Sequence, residues 1–237
     1  MKTGKKVLLG VSGAALLVAG SIAGTLAYLT STEEVVNTFT IGKVDIDLTE
    51  TELDENYQPV TEAGTDADGA PITVTKRTDE GNEYRIVPGA EYIKDPTLTI
   101  KKNSEEAYIR LMVNITNWNE MSKYTNVADL FPDLDDTHWE RKTTKKNDDG
   151  SLLLEYRYVT DDAKDKDTVT GKAEDYNLEP LFETIVIPQT ITTESMEKLE
   201  GFKVTVQGHA IQSTGFDTAD AAWKAFDAQE NAAEATE

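Results

Sequence analysis

No cysteine occurs in the 237 residues. Disulfides, thiolate metal sites and cysteine nucleophiles are therefore excluded together. Histidine is nearly absent too, with only His138 and His209, and neither belongs to an H-E-x-x-H pattern. A zinc hydrolase would have to complete its ligand set with carboxylates from distant strands. A Ser-His-Asp arrangement stays open on composition, but there is no G-x-S-x-G elbow, no Walker loop and no dinucleotide fingerprint. Aromatic residues make up 8%, and no exposed aromatic platform for sugars stands out. Positive charge is scarce: 23 Lys and Arg face 44 Asp and Glu, a net charge of −21. Such a surface repels nucleic-acid phosphates and anionic headgroups, which argues against nucleic acid as a partner.

One long uncharged run exists, and it is N-terminal. Lys2, Lys5 and Lys6 precede 26 uncharged residues from Val7 to Thr32, broken by Gly10, Gly13, Gly20 and Gly24. A basic start, a short apolar centre and small residues at Thr25 and Ala27 read as an export signal over residues 1–27, with Tyr28 as the first mature residue. Ser21 and Ala23 form a second candidate cleavage site, and an uncleaved run of this length would serve as an anchor. No later segment is apolar enough to cross a membrane, so cleavage leaves no stable membrane anchor.

Beyond the signal the period is two. Phe39 and Ile41 share one parity, and Val44, Ile46 and Leu48 share the other, with Gly42 placed where a bulge would bring both sets to one face. Residues 49–71 are polar and read as a loop. Strands are expected at 72–77, 83–87 and around Leu98 and Ile100, then at Ile109, Leu111, Val113 and Ile115. Residues 118–137 suggest a short helix or packed loop, 138–159 a hairpin turning at Asn147–Gly150, and 160–180 a charged loop. Further strands are expected at 185–187 and 202–211, with a change of parity at Gly208. Ala219, Ala222, Trp223 and Phe226 then follow helical spacing, capped by Asp217 or Thr218. The pattern predicts an all-β chain, a jelly-roll-like β-sandwich over residues 28–229 with polar inserts, a short C-terminal helix and a disordered tail at 230–237.

Acidic clusters at 66–69, 133–136 and 161–167 are rich in oxygen ligands, but none has EF-hand spacing. Solvated loop charge accounts for them. Paired carboxylates are so common in this chain that they discriminate nothing about glycoside hydrolysis. No catalytic, cofactor-binding or metal-binding residue is therefore assigned.

The N-terminal stretch "KKVLLGVSGAALLVAGSIAGTLAYLTSTEEVVNTFTIGKVDIDLTE" resembles the export signal read by the SipW-type signal peptidase, with the start of the mature protein attached. The carrying residues are Thr25-Leu26-Ala27, the aromatic Tyr28 and Asn37-x-Phe39-x-x-Gly42. "VPGAEYIKDPTLTIKKNSEEAYIRLMV", "PLFETIVIP" and "VTVQGHAIQSTGF" with Trp223 are similar to the body of the TasA and camelysin family. The long acidic inserts at 49–71 and 118–178 depart from it and are closer to a clostridial-type branch of exported proteins. The resemblance implies a jelly roll, an extracellular location in a Gram-positive biofilm matrix, processing by that peptidase and a structural rather than enzymatic role. Camelysin's description as a protease keeps a metalloprotease reading open.

A free apolar strand must pair somewhere. Cleavage before Tyr28 would free a segment carrying Tyr28, Leu29, Val35, Val36 and Phe39. The expectation is a donor strand, Tyr28–Thr40, added to the sheet of another copy to give a head-to-tail homopolymer. Glu33 and Glu34 would then face solvent or a basic partner. The alternatives are a monomeric cell-surface binding module and a camelysin-like metalloprotease.

Overall fold

Residues 30–32, 44–65, 68–160 and 167–234 are described in a computed structural model. The cleavage residues Thr25, Ala27 and Tyr28 lie outside the described residues. So do Leu29, Val35, Val36 and Phe39 of the expected donor strand. Among the described residues strands predominate over helices, as the alternation predicts.

The cleanest alternation forms the central strand. In β8 (Ala107–Ile115) the side chains of Ile109, Leu111, Val113 and Ile115 are fully buried. This strand pairs antiparallel with β10 (Leu152–Tyr158) on one side and β14 (Val204–Gln212) on the other. β10 forms a hairpin with β9 (Trp139–Lys146), closed by the Asn147–Gly150 turn, where Gly150 takes φ 84°. A short β1 (Thr30–Thr32) lies outside β14, so the sheet order is β1-β14-β8-β10-β9, with β11 (Thr168–Val169) also on β8. A second sheet runs β12 (Tyr176–Asn177), β7 (Thr97–Ile100), β2 (Ile46–Thr51), β5 (Arg77–Thr78). Two small pairs, β6 (Glu91–Ile93) with β13 (Thr184–Val186) and β3 (Thr61–Thr65) with β4 (Pro71–Thr75), complete the described strands.

The two larger sheets meet at Gly208. A Cβ at this position would lie 3.1 Å from Leu98 Cδ1 and 3.7 Å from Ile46 Cδ1, so the absent side chain permits the approach. No bulge interrupts β14 there, because its register with β8 runs unbroken from Val204 to Gln212. The expected change of parity has another cause. Val204, Val206 and Ala210 belong to the core between the sheets, while Ile211 is buried on the opposite face by α4 (Ala219–Glu234). At Ala210 and Ile211 both faces of the strand are covered, so both parities are apolar there.

Residues 118–137 hold α1 (Trp118–Met121) and α2 (Val127–Leu130), which bury Trp118, Met121 and Leu130; Phe131 stacks on Phe182 at 4.2 Å. One more short helix, α3 (Thr193–Lys198), precedes β14. Thr218 Oγ1 accepts from the Ala221 amide at 3.2 Å and caps α4. The helix continues through Glu234, past the expected start of the tail.

Residues 83–87 form no strand. Their backbone is held by tyrosine hydroxyls instead of a ladder: Tyr92 donates to the Arg85 carbonyl at 2.6 Å, and the Tyr57 hydroxyl accepts from the Arg85 amide at 3.0 Å. The polar insert conversely contains β3, whose side chains are almost all exposed and carry no apolar alternation. Its partner β4 satisfies its backbone without help from a core.

Candidate functional site

β1 matches β14 in antiparallel register, with Thr30 opposite Ile211, Ser31 opposite Ala210 and Thr32 opposite His209. Among the described residues, β1 takes only that end of the β14 edge. Among the described residues, no strand pairs with Val204–Gly208 on the side away from β8. Beside this half-edge opens a cleft of about 700 Å³. Phe202, Val204 and Val206 from β14 and its approach, Leu48 from β2, Ile185 and Ile187 near β13, and Tyr92 give it apolar walls. Val204 and Val206 are only half-buried, unlike the same-facing Val113 and Ile115 opposite them on β8.

The other edge of the same sheet is unlike it. β9 carries Arg141, Lys142, Lys145 and Lys146, all exposed except for the pairing of Lys142 with Glu140 at 2.6 Å. Like charges along an edge oppose addition of another strand. The open half of β14, by contrast, reads Val204-Thr205-Val206-Gln207-Gly208 and bears no charge.

A polar cluster forms one wall of the cleft. Glu50 and Lys94 are both buried, with Lys94 Nζ 2.7 Å from Glu50 Oε2. Glu50 Oε1 accepts from the Asn82 amide at 2.7 Å and from Asn82 Nδ2 at 3.0 Å. Tyr84 stands over Lys94, its ring centroid 5.9 Å from Nζ. Burial, and then the negative charge of Glu50, push the Tyr84 phenol well above its usual range. Tyr57, Tyr84 and Tyr92 form an aromatic group with centroid separations of 4.9 to 6.2 Å. Residue-by-residue reading missed this cluster, yet it left a signal. Glu50 occupies the inward place that follows Ile46 and Leu48 in the alternation of β2.

The two histidines lie in different surroundings. His138 Nδ1 sits 2.7 Å from Asp135 Oδ2, in the turn before β9. His209 is buried under α4, stacked on Phe226 at 4.8 Å, and its Nδ1 accepts from Arg110 Nε at 3.1 Å. Burial first, and the Arg110 charge second, lower its pKa to about 4. Among the described residues, no group of three or more His, Asp or Glu is placed to hold a metal ion. In the 133–136 cluster, Asp133 accepts from Thr184 and Asp135 caps Thr137 and His138.

Comparison with protein-family models, curated proteins and solved structures finds no match for this chain.

Proposed function

We propose that the chain is a secreted structural subunit of extracellular fibres or biofilm matrix. On this reading it has a jelly-roll-like β-sandwich and polymerises by donating its N-terminal strand. The supporting observation is the inequality of the two sheet edges. β9 is guarded by four cations, whereas β14 offers an uncharged half-edge beside an apolar cleft and already receives Thr30–Thr32. The same pairing made between copies is a strand exchange, and head-to-tail exchange does not close on itself. Main-chain hydrogen bonds would supply affinity and the cleft would supply side-chain selectivity. Continued in the register of Thr32 with His209, a donor would set Val35 beside Val206 and Phe39 beside Phe202. Removal of residues 1–27 by a SipW-type peptidase would release the donor, so the signal delays assembly until export.

The test compares two chains under identical conditions, one starting at Tyr28 and one at Asn37. Electron microscopy and size-exclusion chromatography should show filaments for the first and folded monomer for the second. Polymerisation of the shorter chain rules out strand donation. Monomeric behaviour of both favours the second reading, a surface-binding module that uses the 700 Å³ cleft for an external ligand.

A further inference from the structure

The Glu50–Lys94–Asn82 cluster is more than an ion pair. Burying two charges rarely stabilises a fold beyond what apolar residues of similar volume would do. Here the carboxylate is shared, one oxygen for each of two nitrogens. Lys94 Nζ donates to Oε2 at 2.7 Å, and Asn82 Nδ2 donates to Oε1 at 3.0 Å. The Asn82 carboxamide is fixed at every polar atom. Its Oδ1 accepts from the Leu53 amide at 2.9 Å, and Nδ2 also donates to the Thr51 carbonyl at 2.8 Å. One amine, one amide and one proton carrier are thus held in hydrogen-bonded order, in a wall shielded by Tyr84 and Tyr92.

We infer that Lys94 and Asn82 are the reactants of an intramolecular isopeptide bond, with Glu50 as the proton shuttle. Glu50 takes a proton from the Lys94 ammonium, leaving a neutral amine that attacks Asn82 Cγ. The 2.7 Å contact between Lys94 Nζ and Glu50 Oε2 is the path for this first proton. The carbonyl π pair moves to Oδ1, and the Leu53 amide stabilises the oxyanion that forms. The new N–C bond gives a tetrahedral intermediate carrying both nitrogens. Glu50 passes its first proton to Nδ2 and then takes a second one from Nζ. The carbonyl re-forms as the Cγ–Nδ2 bond breaks and ammonia leaves, and the second proton, handed on by Glu50, makes it ammonium. Glu50 returns to carboxylate, one positive side chain is lost, and no oxidant or reductant is required. All three residues line the cleft, which gives the departing ammonium a way out. The Glu50 carboxylate, bonded to both groups, keeps amine and amide on one anchor, which lowers the entropic cost of bringing them together.

The consequence fits a chain without disulfides. Such a bond would tie the strandless stretch around Asn82 to Lys94, between β6 and β7, with a linkage that reducing agents do not cut. It would brace one wall of the cleft whether or not the chain polymerises.

Intact-mass spectrometry of the purified, folded chain tests it. The expected mass falls short of the sequence mass by one ammonia. Trypsin should release residues 78–85 joined to 86–101, with cleavage after Lys94 blocked. Lys94→Arg and Glu50→Gln should restore the full mass. Asn82→Asp should change the loss from one ammonia to one water, because a carboxyl reacting with the same amine expels water. Wild-type protein at full sequence mass overturns the inference. So does an ammonia loss that persists in Lys94→Arg, which marks a succinimide at Asn82 instead. Should a variant fail to fold, the joined wild-type peptide decides alone.

Discussion

Arg110 and His209 face each other across β8 and β14, and the guanidinium Nε donates to the imidazole Nδ1 at 3.1 Å. That bond requires His209 neutral at Nδ1. The guanidinium is further held by Asp227 at 2.6 Å, and it lies 4.4 Å from the Trp223 ring centroid and 4.9 Å from that of Phe226. One cation thus ties the central strand, its neighbour and the terminal helix together.

Acidification should loosen this junction. His209 is lowered from 6.5 to about 4 in the folded state, so between those values the unfolded chain binds more protons. Stability therefore rises with pH across that window, and falls as pH drops from about 6.5 towards 4. The full linkage amounts to about 3 kcal/mol at most, taking the whole shift. Urea midpoints at about pH 7 and about pH 4.5 should differ, and His209→Gln should shrink the difference. The lowered carboxylates, such as Asp135 and Asp220, lose their contribution below pH 3.8, outside that window. An unchanged difference in His209→Gln would falsify the assignment.

The docking of α4 should depend on its aromatic pair more than on its ion pairs. Phe226 and Trp223 are buried at a centroid distance of 5.6 Å. The partners of Arg157 and Arg110 on the helix, Asp220 and Asp227, are largely exposed. Phe226→Ala should cost about 3–5 kcal/mol, the range for emptying a large buried site. Asp220→Asn should cost less than about 1 kcal/mol. Denaturant titration of both variants checks the order, and a larger loss for Asp220→Asn reverses the argument.

Alternation made the central strands legible. Ile109 to Ile115 and Leu152 to Tyr158 are buried on one face because period two is how a strand presents one side to a core. The same logic misled wherever both sides were covered or neither was. Gly208 marks a change of parity because α4 hides Ile211 on the far face, and β3 reads as a loop because no core touches it. Residues 83–87 alternate, but the Tyr57 and Tyr92 hydroxyls hold Arg85 in place of a neighbouring strand. Of the site, the uncharged character of β14 and the basic run of β9 were visible as composition. That they form opposite edges of one sheet was not, since strand order depends on pairings far apart in the chain. Glu50 lies on β2 while Asn82 and Lys94 lie in separate irregular segments, and the three meet only through the fold.

Gly208 should tolerate little. A Cβ there needs Leu98 Cδ1, at 3.1 Å, to move by a few tenths of an ångström, and a branched side chain needs far more. Gly208→Val should destabilise by about 1–3 kcal/mol through overpacking, with Gly208→Ala closer to wild type. Thermal melts of the two variants would show it. Equal melting points would mean the sheets approach less closely here than the 3.1 Å contact implies.

The uncharged half-edge of β14 gives the sharpest handle on assembly. Val206 is half-buried, faces the cleft and lies on the strand's open stretch. An inward-pointing charge is the device by which sheet edges refuse a further strand. Val206→Lys should therefore block filament formation, while its partial exposure limits the folding cost to about 1–2 kcal/mol. The control is Lys145→Glu on β9, an edge already charged, and it should polymerise as wild type does. Both proteins would first be matched by urea midpoint, so that loss of fibres is not mistaken for loss of fold. If Val206→Lys is folded and still forms filaments while Lys145→Glu does not, the joining edge is β9, and strand donation to β14 is wrong.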